Sequence, residues 1–173
     1  MAPLVVLLVS FGFTLVGFRT LRGRWSTGLA GRAAAAVMFV FTGTSHFIFP
    51  AEMAEMVPSV FPSPRIWVAA TGVAEILGGV GLLVPRTSRI AAWALALFLV
   101  AVFPANVYAA INEVGMGGHR DGTGYLWLRG PLQVVFLAWV GYFGFYRNSL
   151  PRDVPDTLRQ RGKQRTGDTR AGR

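Results

Sequence analysis

Apolar residues run in five blocks along the chain, at about 2–18, 29–49, 66–84, 90–111 and 126–146. Each block is close to the ~20 residues a helix needs to cross the hydrocarbon core of a bilayer. The pattern predicts an all-α membrane protein with five spanning helices. The segment PAEMAEMVPSVFPSP at 50–64 separates blocks two and three. Met53, Met56, Val57, Val60 and Phe61 there have helical spacing, and Pro58 interrupts them. Two readings stand: a short helical turn at the membrane interface followed by an extended stretch, or a plain loop touching lipid.

Composition agrees with the pattern. Hydrophobic residues make up 53% of the 173 and charged residues only 14%, against about 25% charged in a soluble domain. The formal net charge is +9. Its distribution argues against a nucleic-acid partner, because the basic residues flank apolar blocks and crowd the C-terminal tail. That is how basic residues anchor a membrane protein to anionic lipid. The chain has no cysteine, which excludes disulfide frameworks, iron–sulfur clusters and thiol relays built from this chain alone. Two histidines do not suffice for a di-haem or metal site, so no metal site is predicted. No phosphate-binding loop, dinucleotide fingerprint or nucleophile elbow is found. The glycine-rich stretch GMGGHRDGTG at 115–124 follows no strand and reads as an outer loop.

Basic residues also orient the chain. Arg19, Arg22 and Arg24 follow the first block, Arg86 and Arg89 lie between the third and fourth, and eight more lie in the tail from Arg147 onward. Five alternating helices put all three regions on one side, while Glu52, Glu55, Glu113 and Asp121 fall on the other. The positive-inside rule then predicts a plasma-membrane protein with its N-terminus outside and its C-terminus cytoplasmic. No basic residue precedes the first block and no clear small-x-small site precedes its basic flank. This predicts an uncleaved anchor rather than a signal peptide.

Polar residues inside the blocks are few and costly. Glu75 stands near the middle of the third, where a charge costs about 2.5–3.5 kcal/mol on insertion scales. At about 1.5 Å rise per residue, Glu75 lies about 15 Å deep, with Thr71 on the same face at i and i+4. By the same count His46, Asn106, Arg129 and Gln133 also fall in the outer half. The inner halves, such as AAAAVMFVF and ILGGVGLLV, carry no carboxylate, amide or base. The expectation is an outward-facing polar pocket with Glu75 as its floor above a dry inner half. That argues against a polar path for ions or sugars through one protomer.

Each residue has a structural alternative. Glu75 could be a neutral lock bonded to Thr71 or a facing helix. His46 could be a packing residue. Asn106 could repair the break made by Pro104. Arg129 could extend to the headgroups or reach toward Glu75. Gln133 could bond another helix or a ligand. Gly72, Gly78, Gly79 and Gly81 predict close helix approach and a central place for the third helix. Trp67, Trp93, Tyr125, Trp127, Tyr142 and Tyr146 near block ends fit an interfacial belt, whereas Trp139 reads as packing.

Several motifs in order, SHFIFP (45–50), MVPSVFPSP (56–64), TGVAEILGGVGLL (71–83), FPANVYAA (103–110) and LRGPLQ (128–133), resemble the DoxX and DoxX-like membrane proteins. The resemblance covers about 32–147. It implies a compact four-helix membrane bundle, here with an additional N-terminal transmembrane helix. Three regions follow: an anchor with a basic loop at 1–28, a bundle at 29–147 and a basic, disordered tail at 148–173. It places His46, Pro50, Glu75, Asn106 and Gln133 at recurring motif positions without assigning catalysis to any of them. Some relatives are tied to quinone-linked oxidation, others to oxidative-stress complexes or to receptor assembly.

The leading expectation is therefore a small amphipathic ligand, a quinone or lipid, held by Glu75, His46, Thr71, Asn106, Arg129 and Gln133 within a membrane redox or stress system. No resident cofactor is evident, so electrons would come from a partner or a bound cofactor. The alternative is a membrane assembly or scaffold protein that docks a partner, or a second copy of itself, on its glycine-rich helix and outer loop. A small transporter is the third reading, disfavoured by the apolar inner half and the lack of an inverted repeat.

Overall fold

The structure, a computed structural model, describes residues 2–23, 25–112 and 124–145. The predicted glycine-rich loop up to residue 123, with Glu113 and Asp121, and the tail from Arg147 lie outside the described residues.

Six helices follow one another: α1 (Ala2–Arg22), α2 (Thr27–Ile48), α3 (Pro50–Ala54), α4 (Pro64–Leu83), α5 (Ser88–Ile111) and α6 (Gly124–Phe145). Proline sets two of the starts. Pro50 and Pro64 stand in the first turns of α3 and α4, where the missing N–H costs nothing and the fixed φ suits the helix. Before Pro64, Ser63 takes a left-handed φ of 54°, which turns the loop into α4. The short α3 answers the question left open by the 50–64 segment. A single helical stretch forms, Glu52 and Glu55 are exposed, and Met56 turns inward.

Among the described residues, four helices are long and apolar enough to cross a membrane: Ala2–Leu21, Pro64–Leu83, Ser88–Ile111 and Leu126–Phe145. This is a multi-pass membrane protein. Its exposed surface agrees, since Phe13, Leu77, Ile90, Leu97 and Val134 all point outward, as side chains facing lipid do. The fifth predicted span, α2, has 22 residues, enough for about 33 Å. It falls short in apolarity because it carries Arg32, Thr42, Thr44, Ser45 and His46.

The reason lies in where α2 sits. Helices α2, α4, α5 and α6 close into a ring, each packing on the next and α6 returning to α2. The N-terminal α1 is not part of this ring; it packs on α2 and reaches α6 through Phe11. The central helix is thus α2, which meets α1, α3, α4 and α6. The glycine count pointed to α4 instead. Small residues explain the difference, because α2 buries Gly28, Ala30, Gly31, Ala34, Ala35, Ala36 and Gly43. Such residues let backbones approach closely where no hydrophobic effect drives helices together.

Aromatic packing fixes α1. Phe11 meets the edge of Trp139 with ring centroids 5.1 Å apart, and Trp139 donates its indole N–H to the Gly31 carbonyl at 3.0 Å. Trp139 is a packing residue, as its depth implied. Leu7 is fully buried in the apolar core beside Ala34, Ala35, Met38, Phe39, Leu82, Leu95 and Val140. This core fills the half of the bundle that the sequence left without polar groups. One exception was missed: Arg32 is buried at that end of α2.

Candidate functional site

The polar half of the bundle is organised by one helix crossing. Gly43 of α2 and Gly72 of α4 face each other so closely that a Cβ on Gly43 would lie 2.8 Å from the Gly72 carbonyl oxygen, and one on Gly72 would lie 2.8 Å from His46 Cβ. One turn pair further along, Gly79 lies against the Ala36 carbonyl and Phe39. Positions 36 and 43 on α2 and 72 and 79 on α4 therefore form one antiparallel seam. The other two glycines of α4, Gly78 and Gly81, face Leu95 and Ala91 of α5.

That seam brings two i, i+4 pairs into opposition. Thr42 and His46 lie on one face of α2, and Thr71 and Glu75 on one face of α4. With the helices antiparallel, His46 stands opposite Thr71 and Thr42 opposite Glu75. His46 Nδ1 lies 3.0 Å from the Val68 carbonyl and 3.1 Å from Thr71 Oγ1. The Thr71 hydroxyl proton is already directed at its own helix, 2.9 Å from the carbonyls of Trp67 and Val68. Both neighbours of Nδ1 thus act as acceptors, which assigns the ring proton to Nδ1. The Nε2 lone pair of the neutral ring then faces the Glu75 carboxyl, with Oε2 at 3.9 Å.

Glu75 is buried. The Thr42 hydroxyl of α2 and the Arg129 guanidinium of α6 both lie close enough to act on its carboxyl. Its Oε2 has no hydrogen-bond partner among the described residues. A buried acceptor left unbonded costs about 1–3 kcal/mol, so the fold carries this group at an expense. The 3.9 Å gap to Nε2 is too long for a direct bond. One oxygen atom placed about 2.8 Å from each would bridge it.

The other predicted residues sit on α5 and α6. Arg129 donates from Nη2 to Asn106 Oδ1 at 3.2 Å, so its head turns inward across the helix interface. Asn106 is buried and spends its side-chain oxygen on Arg129. Gln133 donates its amide to the Leu99 carbonyl. Pro104 deprives the next carbonyl, Val100, of its helical donor, so the donor delivered to this weakened stretch of α5 comes from α6.

His46 thus meets Thr71 directly and faces Glu75 across a 3.9 Å gap, Arg129 bonds Asn106, and Gln133 serves the backbone. Thr42 was overlooked. Its i, i+4 relation to His46 repeats that of Thr71 to Glu75 and could have revealed it. Ser45 and Thr44 bond carbonyls of their own helix, Thr42 and Val40, and stay apart. A cavity of about 350 Å³ lies elsewhere, between α4 and α5, with Ala74, Leu77, Ile90 and Phe98 on its walls; none of the six predicted residues lines it. No group of three or more metal-ligating side chains occurs among the described residues.

The fold and the cluster define a multi-pass helical membrane protein with a buried polar site drawn from α2, α4, α5 and α6. The chain belongs to the family described as a domain of unknown function, DUF8561, whose model matches residues 35–143. That span takes in every residue of the polar cluster and leaves out α1. No curated protein matches the chain, and no solved structure matches it.

Proposed function

We propose that this chain is a DoxX-like membrane protein that binds the polar head of a small amphipathic ligand, a quinone or lipid, between His46 and Glu75. The observation that carries this reading is the buried Glu75 Oε2, which lacks a hydrogen-bond partner among the described residues and lies 3.9 Å from the His46 ring nitrogen. A hydroxyl oxygen of a quinol or lipid head is of the right size to bridge the two, giving its proton to His46 Nε2 and accepting one from a protonated Glu75, whereas a quinone carbonyl would accept from Glu75 alone. His46 would accept a hydrogen bond at Nε2 while Val68 and Thr71 hold its ring in place. Glu75 would take or give a proton, and Arg129 would steady its charge. Protons then have a local exchange partner, and electrons come from a partner protein or a bound cofactor, as befits a membrane redox or stress system. In this reading the protein lies in the plasma membrane with its N-terminus outside and its basic tail on anionic cytoplasmic lipid.

The assembly reading has less support. All four glycines of α4 face neighbouring helices of the same chain, so its glycine-rich surface is already used.

Titration of a short-chain quinone into the purified protein, with phospholipid as competitor, tests the proposal. Saturable binding that Glu75→Gln weakens by about tenfold or more, equivalent to ~1.4 kcal/mol, is the expected result. Absence of binding by either ligand class would sink it.

A further inference from the structure

We infer that the groove between α4 and α5 is a binding site for an anionic phospholipid, with an acyl chain in the groove and the phosphate held by Arg86 and Arg89. The groove is separate from the His46–Glu75 cluster and lies toward the opposite end of α4. Its walls are Ala74, Leu77 and Gly81 on one side and Ile90, Ala94 and Phe98 on the other. The volume, about 350 Å³, falls within the range of small-ligand pockets, ~300–1,000 Å³. The lining offers a ligand little but hydrocarbon. Leu77 and Ile90 are largely exposed, so the groove opens outward to the bilayer.

The charge at its mouth selects the occupant. The groove ends at the α4–α5 turn, where Thr87 lines it and donates to the Gly81 carbonyl at 3.0 Å. Arg86 and Arg89 flank that turn and are exposed. Among the described residues, neither pairs with a carboxylate. A second copy of this chain, or another membrane helix with a basic flank at the same level, would bring like charge to these arginines. An anionic headgroup complements them, and its chain matches the apolar walls. Basic residues between spanning helices recognise anionic headgroups in this way.

Native mass spectrometry of the full chain released from detergent reads the site directly, with phosphatidylglycerol and phosphatidylcholine of identical acyl chains as probes. The wild type is expected to retain one phosphatidylglycerol in preference to phosphatidylcholine. Replacing both arginines, Arg86→Gln with Arg89→Gln, is expected to lower phosphatidylglycerol affinity about 25-fold, or about fivefold for each basic residue. Ala94→Phe fills the groove from an exposed position and is expected to lower the retention of both lipids. Unfolding midpoints of the variants establish that they fold. Equal retention of the two lipids by the wild type, or phosphatidylglycerol retention unchanged in either variant, would overturn the site. So would a dimer that Ala94→Phe dissolves, which would make the groove a self-association surface.

Discussion

His46 is held through one nitrogen, which has two partners, and one oxygen of Glu75 has none among the described residues. The ring proton on His46 Nδ1 is fixed by Val68 and Thr71, whereas Glu75 Oε2 is left to whatever enters. The placement depends on the missing side chains of Gly43 and Gly72. Gly72→Val would drive a methyl into the Gly43 carbonyl and His46 Cβ. We expect it to destabilise the bundle by about 1–3 kcal/mol and to displace His46; reversible unfolding in mixed micelles measures the first effect. Glu75 was legible in the sequence because a lone carboxyl in an apolar run is conspicuous. Thr42 was not, because a threonine in a helix usually bonds its own carbonyls. Thr42 does so too, to Met38 and Phe39; only the facing helix shows that its oxygen also lies beside Glu75.

Helix boundaries were readable to within a few residues, since each span is bounded by proline, glycine or arginine and each apolar run has membrane length. Helix neighbours were not. The seam between α2 and α4 depends on which glycines face which partner, and four glycines on α4 point two ways. The place of α2 at the hub was masked by its polar residues, which lower its hydropathy although Arg32, Thr42, Ser45 and His46 are all at least partly buried and only Thr44 among those five is exposed. At this scale α5 and α6 are tied by Gln133. Gln133→Leu removes the donor to the Leu99 carbonyl beside the Pro104 break, and we expect a loss of about 1–2 kcal/mol in the same unfolding measurement. The docking of α1 is checked by a disulfide. Thr14 Oγ1 lies 3.4 Å from the Ala30 carbonyl, so Thr14→Cys with Ala30→Cys should cross-link α1 to α2 on mild oxidation. The natural chain has no cysteine to confuse the result. Failure to cross-link would place α1 elsewhere.

The whole molecule divides along the bundle axis. One half holds the apolar core of Phe39, Leu82, Leu95 and Val140; the other holds the polar cluster. The division was legible because depth follows from counting residues along a helix. The cavity between α4 and α5 was not, because it arises where two apolar surfaces fail to meet, and periodicity alone cannot show a gap. If basic loops lie inside, a single cysteine at Ser59 should react with a membrane-impermeant maleimide in intact cells. One at Thr87 should react only after permeabilisation. The reverse pattern would invert the orientation.

The central claim is that the Glu75 carboxyl touches the polar head of the ligand, and infrared difference spectroscopy on quinone binding tests it most directly. Addition of a short-chain quinone to the wild type should perturb a carboxyl band that is absent in Glu75→Gln. His46→Gln, which alters the only nitrogen facing that carboxyl on α2, should shift the same band. An identical carboxyl change in the wild type and in Glu75→Gln, or none in either despite bound quinone, would contradict the account and leave Glu75 as a structural lock between α2 and α4.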